Sequence, residues 1–389
     1  MKICVTTGTR AEYGLLNPLM DKIKGDADFT LQLLVTGAHL SPEFGLTYKQ
    51  IEADGYPIDA KVEMLLSSDT PEGITKSMGL GMVGYADALK QLQPDLLIIL
   101  GDRYEMLAVA STALIFRIPI AHIHGGEITE GAYDDAIRHS ITKMSALHFT
   151  STEVYRKRVI QLGEQPERVF NVGAIGLDNF KSLTLLTKDQ LEKELNIRFK
   201  KYNYLVGFHP ETLSKQSVKE QFEELLKAID KQNDSFFIFT KANADTDGRI
   251  VNQMMERYVQ ENPDRAVLFT SLGSLRYLSI MRQATAVVGN SSSGILEAPS
   301  IPTATINIGD RQKGRIQANS ILNCEAKLQE IEGCIDKVKS KEFRHIVVKS
   351  INPYGNGNTS QQIMNVLKSL NLRDLSLKSF YDIKANETF

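Results

Sequence analysis

Carboxylates, arginines, histidines and hydroxyls recur at one kind of place in this chain, the polar end of an apolar run, usually marked by glycine. In the first half these tips are Thr7-Gly8-Thr9-Arg10, Thr36-Gly37-Ala38-His39, Gly101-Asp102-Arg103-Tyr104-Glu105 and His124-Gly125-Gly126-Glu127. In the second half they are His209-Pro210-Glu211, Lys241-Ala242-Asn243-Ala244-Asp245, Gly289-Asn290-Ser291-Ser292-Ser293-Gly294 and Gly309-Asp310-Arg311. Open α/β sheets bind ligands just beyond the carboxyl ends of their strands, so the tips are candidate site residues. Five arginines at or near tips, Arg10, Arg103, Arg138, Arg311 and Arg315, suit an anionic ligand such as a phosphate. The turn 289–294 resembles a nucleophile elbow, but its second glycine comes one position late for G-x-S-x-G. With its three hydroxyls, and a helical stretch containing Glu297 behind it, it reads instead as a phosphate cradle. Asp102 ends the most apolar run of the chain, and burying it there without a role is costly. Asp134-Asp135 opens a helical stretch, where the dipole tolerates negative charge. Both places suit a carboxylate that moves a proton. His122 and His124 share a strand face and suggest a metal pair, but a metal site needs further ligands. One histidine packed or hydrogen-bonded at the strand end and the other lining a pocket is the preferred reading, and no metal is expected.

The elements that carry these tips alternate in type. Strand candidates are 3–6, 31–35, 96–100, 118–123, 147–150 and 169–172, then 205–208, 236–240, 266–269, 286–288 and 304–308. Leu96-Leu97-Ile98-Ile99-Leu100 is apolar at every position, as in a parallel strand buried on both faces. Amphipathic stretches such as 75–92 and 217–231 lie between the runs, which is the pattern of doubly wound α/β sheets. Gly79-Leu80-Gly81-Met82-Val83-Gly84 matches G-x-G-x-x-G, but no strand precedes it, so close helix packing is expected. No P-loop motif occurs. Near the end, Thr359 or Ser360 is placed to cap a helix with Ile363, Val366, Leu367 and Leu370 on one face.

A chain of 389 residues exceeds one compact core and fits two domains. The expected division is 1–176 and 177–359, with C-terminal helices 360–389 packing back on the first. A formal charge of -2 gives no field for nucleic acid or an anionic membrane. No apolar stretch reaches the roughly 18 residues of a membrane span. The first residues run straight into a strand without a signal-peptide pattern, and the three cysteines form no disulfide framework. A cytoplasmic location is expected.

Taken in order, the tips resemble hydrolysing UDP-N-acetylglucosamine 2-epimerases, nearest to the bacterial sialic-acid-pathway type. The resemblance is carried by Gly8-Thr9-Arg10-Ala11-Glu12-Tyr13, Gly101-Asp102-Arg103-Tyr104-Glu105, His122-Ile123-His124-Gly125-Gly126-Glu127 and Asp134-Asp135-Ala136-Ile137-Arg138-His139. It continues through His209-Pro210-Glu211-Thr212, the turn 289–294 and Ile306-Asn307-Ile308-Gly309-Asp310-Arg311-Gln312, covering nearly the whole chain. It implies two Rossmann-like domains in a glycosyltransferase-B-type arrangement with UDP in an interdomain cleft. His209, Ser291, Ser292, Glu297 and Arg311 would hold UDP, with Arg10 and Arg103 near the phosphates. Asn243 and Asp245 join this binding set from their tip. Asp102 and Asp134 would match the family's catalytic carboxylates. Many relatives carry glutamate where this chain has His124, so His124 itself or Glu127 would take that role. The H-I-H-G-G form also resembles a branch acting on diacetamido-bacillosamine nucleotides.

The implied reaction turns UDP-N-acetylglucosamine and water into N-acetylmannosamine and UDP, for sialic acid biosynthesis, with no cofactor. Departure of UDP from C1 with loss of the C2 proton gives a glycal, and water then adds. Two titratable groups across the ring and positive charge at the β-phosphate are required. The alternatives are the bacillosamine substrate, a non-hydrolysing 2-epimerase, a transferase of the same fold, and a UDP-sugar sensor without turnover. The expected partner is a UDP-sugar, in a homo-oligomer (dimer or tetramer), with no nucleic acid and no membrane.

Overall fold

The computed structural model describes residues 1–66, 70–129, 132–211, 216–242, 248–369, 375 and 377–383. It contains two α/β units. One comprises Met1–Glu127, Asp134–Ser182 and Tyr354–Phe389, the other Ile128–Tyr133 and Leu183–Pro353. The crossover thus falls at 182 and the return at 354, against the expected 176 and 360, and a short loop after Glu127 groups with the second unit.

The first unit is built on seven parallel strands: β1 (Lys2–Thr7), β2 (Thr30–Thr36), β3 (Ala60–Val62), β4 (Leu96–Leu100), β5 (Ile120–Ile123), β6 (Leu147–Thr150) and β7 (Val169–Asn171). Their order is β3-β2-β1-β4-β5-β6-β7. Ile3 and Val5 of β1 and Leu96, Ile98 and Leu100 of β4 enter one core. Cys4, Leu97 and Ile99 enter the core on the opposite face. Period-two alternation with both faces covered is why these strands are apolar throughout. The order reverses between β1 and β4, which bring Gly8–Arg10 and Gly101–Arg103 side by side.

Local chemistry fixes the tip of β1. Thr9 caps the helix Arg10–Lys24, and Glu12 reaches back to the backbone N–H groups of Gly8 (2.7 Å) and Thr9 (3.1 Å). The C-terminal helix Thr359–Ser369 returns to this unit and buries Ile363, Met364 and Leu367 in the core that contains β1. Neither Thr359 nor Ser360 caps that helix by its side chain. The Asp178 carboxylate does so, accepting from Thr359 N (2.8 Å) and Ser360 N (2.6 Å). The Thr359 hydroxyl instead donates to Val172 O and Ala174 O. Leu370 lies outside the described residues.

The second unit is built on six parallel strands: β8 (Tyr202–Gly207), β9 (Ser235–Thr240), β10 (Ala266–Phe269), β11 (Ala286–Gly289), β12 (Ala304–Ile308) and β13 (Ile321–Cys324). The order β10-β9-β8-β11-β12-β13 reverses between β8 and β11. There Gly289 pairs with Gly207. Gly289 has φ +125°, and a Cβ at this position would stand 2.1 Å from Gly207 O. Only glycine lets the strands meet there. β3 and β13, both edge strands, are absent from the sequence expectation. β3 has only three residues, with Lys61 at its centre. β13 contains Asn323 and is half-exposed.

No helix among the described residues is long and apolar enough to cross a membrane.

Gly289→Ala should destabilise the second unit by about 3 kcal/mol, because backbone strain and the clash with Gly207 add. Equilibrium urea unfolding measures this; an unshifted midpoint would mean that the strand pair opens there at no cost.

Candidate active site

Around the ends of β4 and β5 the first unit assembles a buried polar group. Its centre is Arg138, on the helix Asp134–Met144 and only 2% exposed. Arg138 Nη2 meets the Asp102 carboxylate in an ion pair. Arg138 Nη1 donates to the backbone O of His124 at 2.9 Å and lies 3.9 Å from Glu127 Oε2. One guanidinium therefore ties together the tips that follow β4 and β5. Asp102 keeps 20% of its side chain exposed, so it is the accessible carboxylate of the group. Asp134 stands half-buried in the first turn of the same helix, one turn before Arg138.

His124 occupies the left-handed backbone region at φ +66°. Its Nε2 accepts from Ile175 N at 3.1 Å, so in the neutral ring the proton sits on Nδ1, which faces Glu127 Oε1 at 3.2 Å. Ser151 Oγ donates to the same Glu127 oxygen at 2.7 Å. Glu127 is thus buried behind His124, where it orients the imidazole. His122 is also buried. Its Nε2 donates to Gly101 O at 2.7 Å, which leaves Nδ1 to accept from Thr142 Oγ1 at 3.1 Å. Burial pushes its pKa down to about 3, so the ring is neutral at ordinary pH. With both ring nitrogens engaged, His122 is a brace between β4 and the helix Asp134–Met144. Among the described residues no group of three or more His, Cys, Asp or Glu could hold a metal ion.

At the reversal point, Arg103 is gripped from one side. Its Nε and Nη2 donate to the two oxygens of the fully buried Glu105 at 3.2 and 3.1 Å. Glu12 is pushed up to about 7, chiefly by burial, with Arg103 opposing and Glu105 reinforcing the shift. Arg10 is half-buried at the start of its helix.

In the second unit a carboxamide replaces the guanidinium as organiser. Asn290, fully buried, accepts from His209 N and donates to His209 O, each at 2.7 Å. Its own backbone O accepts from Arg311 Nη1 (3.0 Å) and Gln312 Nε2 (2.8 Å). The tips of β8, β11 and β12 are locked together in this way. Glu211 accepts from Asp310 N (2.8 Å) and Arg311 N (3.2 Å), and burial raises its pKa. Ser291 and Ser292 lie at the start of the short helix Ser292–Leu296, and Ser291 Oγ stands 3.1 Å from Ser293 Oγ. Glu297 is buried, and that alone pushes its carboxyl up to about 8. Asn243 and Asp245 lie outside the described residues.

Of the candidate residues, Asp102, His124 and Glu127 converge through Arg138, and His209 and Arg311 converge through Asn290. The sequence reading took Arg138 for an anion-binding arginine and, though Glu105, Asn290 and Glu211 lie in its tips and Glu12 in the resembling motif, gave these four no role of their own. Spacing carried one usable signal: Arg138 lies four residues after Asp134, on one helical face.

The family model described as UDP-N-acetylglucosamine 2-epimerase matches residues 21–368. The hydrolysing GDP/UDP-N,N'-diacetylbacillosamine 2-epimerase of Campylobacter jejuni is 46% identical, over 98% of this chain and 99% of that protein. Polysialic acid biosynthesis protein P7 of Escherichia coli is 41% identical, over 98% and 97%. The fold is shared with the UDP-GlcNAc 2-epimerase of Neisseria meningitidis, at TM-score 0.78 and 18% identity, over 95% of this chain and 100% of that one. Two units of parallel-sheet α/β architecture, each with polar tips at its reversal point, are the fold that this chain shares with that structure. The chain belongs to the UDP-N-acetylglucosamine 2-epimerase family, in its hydrolysing type.

Two outcomes follow. Activity should survive exhaustive chelation, since His122 is already committed on both nitrogens; loss on chelation with recovery on one divalent ion would reverse that assignment. The second concerns Glu297, whose folded pKa of about 8 lies above its ordinary 4.5. The fold accommodates the protonated form, so its contribution is complete below about pH 4.5 and is lost as pH rises through about 8. Glu297→Gln should therefore gain stability over the parent by on the order of 3 kcal/mol between pH 5 and 8.5, read from urea midpoints. A gap that stays constant with pH would contradict this.

Proposed function

We propose that this chain hydrolyses a UDP-linked 2,4-diacetamido sugar, N,N'-diacetylbacillosamine, releasing UDP and the free C2 epimer. The observation that carries this reading is the near-full-length identity to the Campylobacter jejuni enzyme named for that substrate. The H-I-H-G-G sequence at 122–126 supports it as well. A second reading, UDP-N-acetylglucosamine hydrolysed to N-acetylmannosamine for sialic acid synthesis, is favoured by the similarity to polysialic acid biosynthesis protein P7. The two readings share one chemistry.

The C2 proton is barely acidic, and its removal becomes feasible when the C1–O bond to UDP breaks in the same process. Asp102 and Asp134 are the carboxylates that move protons: the C2 proton is taken as UDP leaves C1, and a solvent-derived proton is delivered to the opposite face of C2 as water adds its hydroxyl to C1 of the glycal. Arg138 holds Asp102 in one orientation, so no reorganisation is needed at the moment of transfer. His124, oriented by Glu127 and the Ile175 N–H, provides the third polar group where many relatives have a glutamate. His209, Ser291, Ser292, Glu297 and Arg311 hold the nucleotide, and Asn243 and Asp245 belong to the same set. Arg10 and Arg103 offset the charge that grows on the β-phosphate. The reaction calls on no cofactor.

The test is an NMR time course in heavy water with UDP-N,N'-diacetylbacillosamine, its GDP counterpart and UDP-N-acetylglucosamine. The released sugar should carry deuterium at C2, with kcat/KM at least about tenfold higher for the diacetamido sugar. Protium retained at C2 would sink the elimination, and a preference for UDP-N-acetylglucosamine would select the second reading. Asp102→Asn and Asp134→Asn should each keep UDP affinity while turnover falls on the order of 10²-fold or more. The double variant should be little worse than the poorer single one if both act on one step.

A further inference from the structure

Both ends of the serine turn 290–294 are pinned by groups from other elements. Asn290 O accepts from Arg311 and Gln312, and Gly294 O accepts from Thr305 Oγ1 at 2.8 Å. Gly294 lies against β12, where a Cβ would stand 2.7 Å from Thr305 Cγ2. The backbone of the turn is therefore fixed, and what remains free is the direction of its hydroxyls. That direction is set by a residue outside the turn, Tyr277, on the helix Gly273–Gln283. Tyr277 Oη lies 2.5 Å from Ser293 Oγ, and Ser293 Oγ lies 3.1 Å from Ser291 Oγ. The phenol also interacts, less strongly, with Ser291 itself. Three hydroxyls thus form a row that ends at Ser291. Ser291 stands just beyond β11 and beside the end of β8, where a Cβ at Gly207 would be 3.5 Å from its own.

Each hydroxyl has one proton to give and can accept besides, so the row can run in two directions. In one, Tyr277 donates to Ser293, Ser293 donates to Ser291, and the Ser291 proton is left for a ligand. In the other every bond is reversed, Ser291 gives its proton to Ser293, and the ligand must itself donate. An ionised phosphate oxygen only accepts, so it selects the first direction. That direction needs a phenol that keeps its proton. Burial, with Glu297 reinforcing the shift, pushes the Tyr277 phenol up to about 12. Hydrogen bonds in a row polarise one another, so a donor at the head strengthens the donor at the end.

We propose that Tyr277 and Ser293 are positioning residues for the nucleotide, turning the Ser291 hydroxyl outward as a donor to a phosphate oxygen. Both act through Ser291. The proposal rests on the reading above in which Ser291 holds UDP. It deepens that reading by giving the preference for an accepting, anionic ligand to a tyrosine outside the turn.

Calorimetry with UDP and NMR titration with uridine, both on the full chain, test it. Ser291→Ala should weaken UDP binding by about tenfold or more, the loss expected for a hydrogen bond to a charged group. Tyr277→Phe keeps the ring and removes only the head of the row. It should weaken UDP binding by about three- to tenfold, and so should Ser293→Ala. Uridine lacks the phosphates and should bind each variant within about twofold of the parent. Added to Ser291→Ala, Tyr277→Phe should cost less than about twofold more, because the group it orients is gone. Circular dichroism melts separate loss of affinity from loss of fold, and Ser293→Ala carries the test if Tyr277→Phe does not fold. Unchanged UDP affinity in folded Tyr277→Phe or Ser293→Ala would overturn the proposal while leaving Ser291 in the nucleotide site. An equal loss for uridine, or a full effect of Tyr277→Phe on top of Ser291→Ala, would overturn it as well. Unchanged UDP affinity in Ser291→Ala would instead remove Ser291 from the nucleotide site, and the proposal would fall with that reading.

Discussion

The guanidinium of Arg138 is the constraint on which the first unit's site depends. A buried positive charge is tolerated only when its donors are met, and this one is met by Asp102, by the backbone of His124 and by proximity to Glu127. Those partners come from the ends of β4 and β5 and from the loop behind them. Removing one partner of such a pair typically costs about 3–5 kcal/mol, because the other charge is left buried alone. The arrangement therefore fixes Asp102 in space, and the left-handed turn at His124 is held by the same contact. His122 adds a neutral brace from Gly101 O to Thr142, between the strand that carries Asp102 and the helix that carries Arg138.

The second unit solves the same problem without charge. Asn290 uses both ends of its carboxamide on the backbone of His209, and its own carbonyl gathers Arg311 and Gln312. The glycine pair Gly207 and Gly289 brings β8 and β11 close enough for that clamp to form. In the reading proposed above, proton chemistry falls to the first of these tip clusters and nucleotide binding to the second.

Much of this was legible in the sequence. Strands covered on both faces have no polar alternation, so runs such as 96–100 announced parallel sheets and their ends announced the site. The capping pair Thr9 and Glu12 is local chemistry, three residues apart, whereas the glycine at 289 answers to Gly207 on another strand. Edge strands escaped for a physical reason. Ala60-Lys61-Val62 and Ile321-Leu322-Asn323-Cys324 need bury only part of their surface, so they lack the apolar signature.

Tertiary structure alone decided which charges meet. Arg138 and Asp102 are 36 residues apart, and nothing in either neighbourhood names the other. The same holds for Asn290 with His209, 81 residues apart, and for Asp178 capping a helix that begins at Thr359. Sequence periodicity reports whether a side chain faces the core, because that depends on neighbours a few positions away. Pairing of polar groups depends on where distant loops end, and only the packed sheets set that distance.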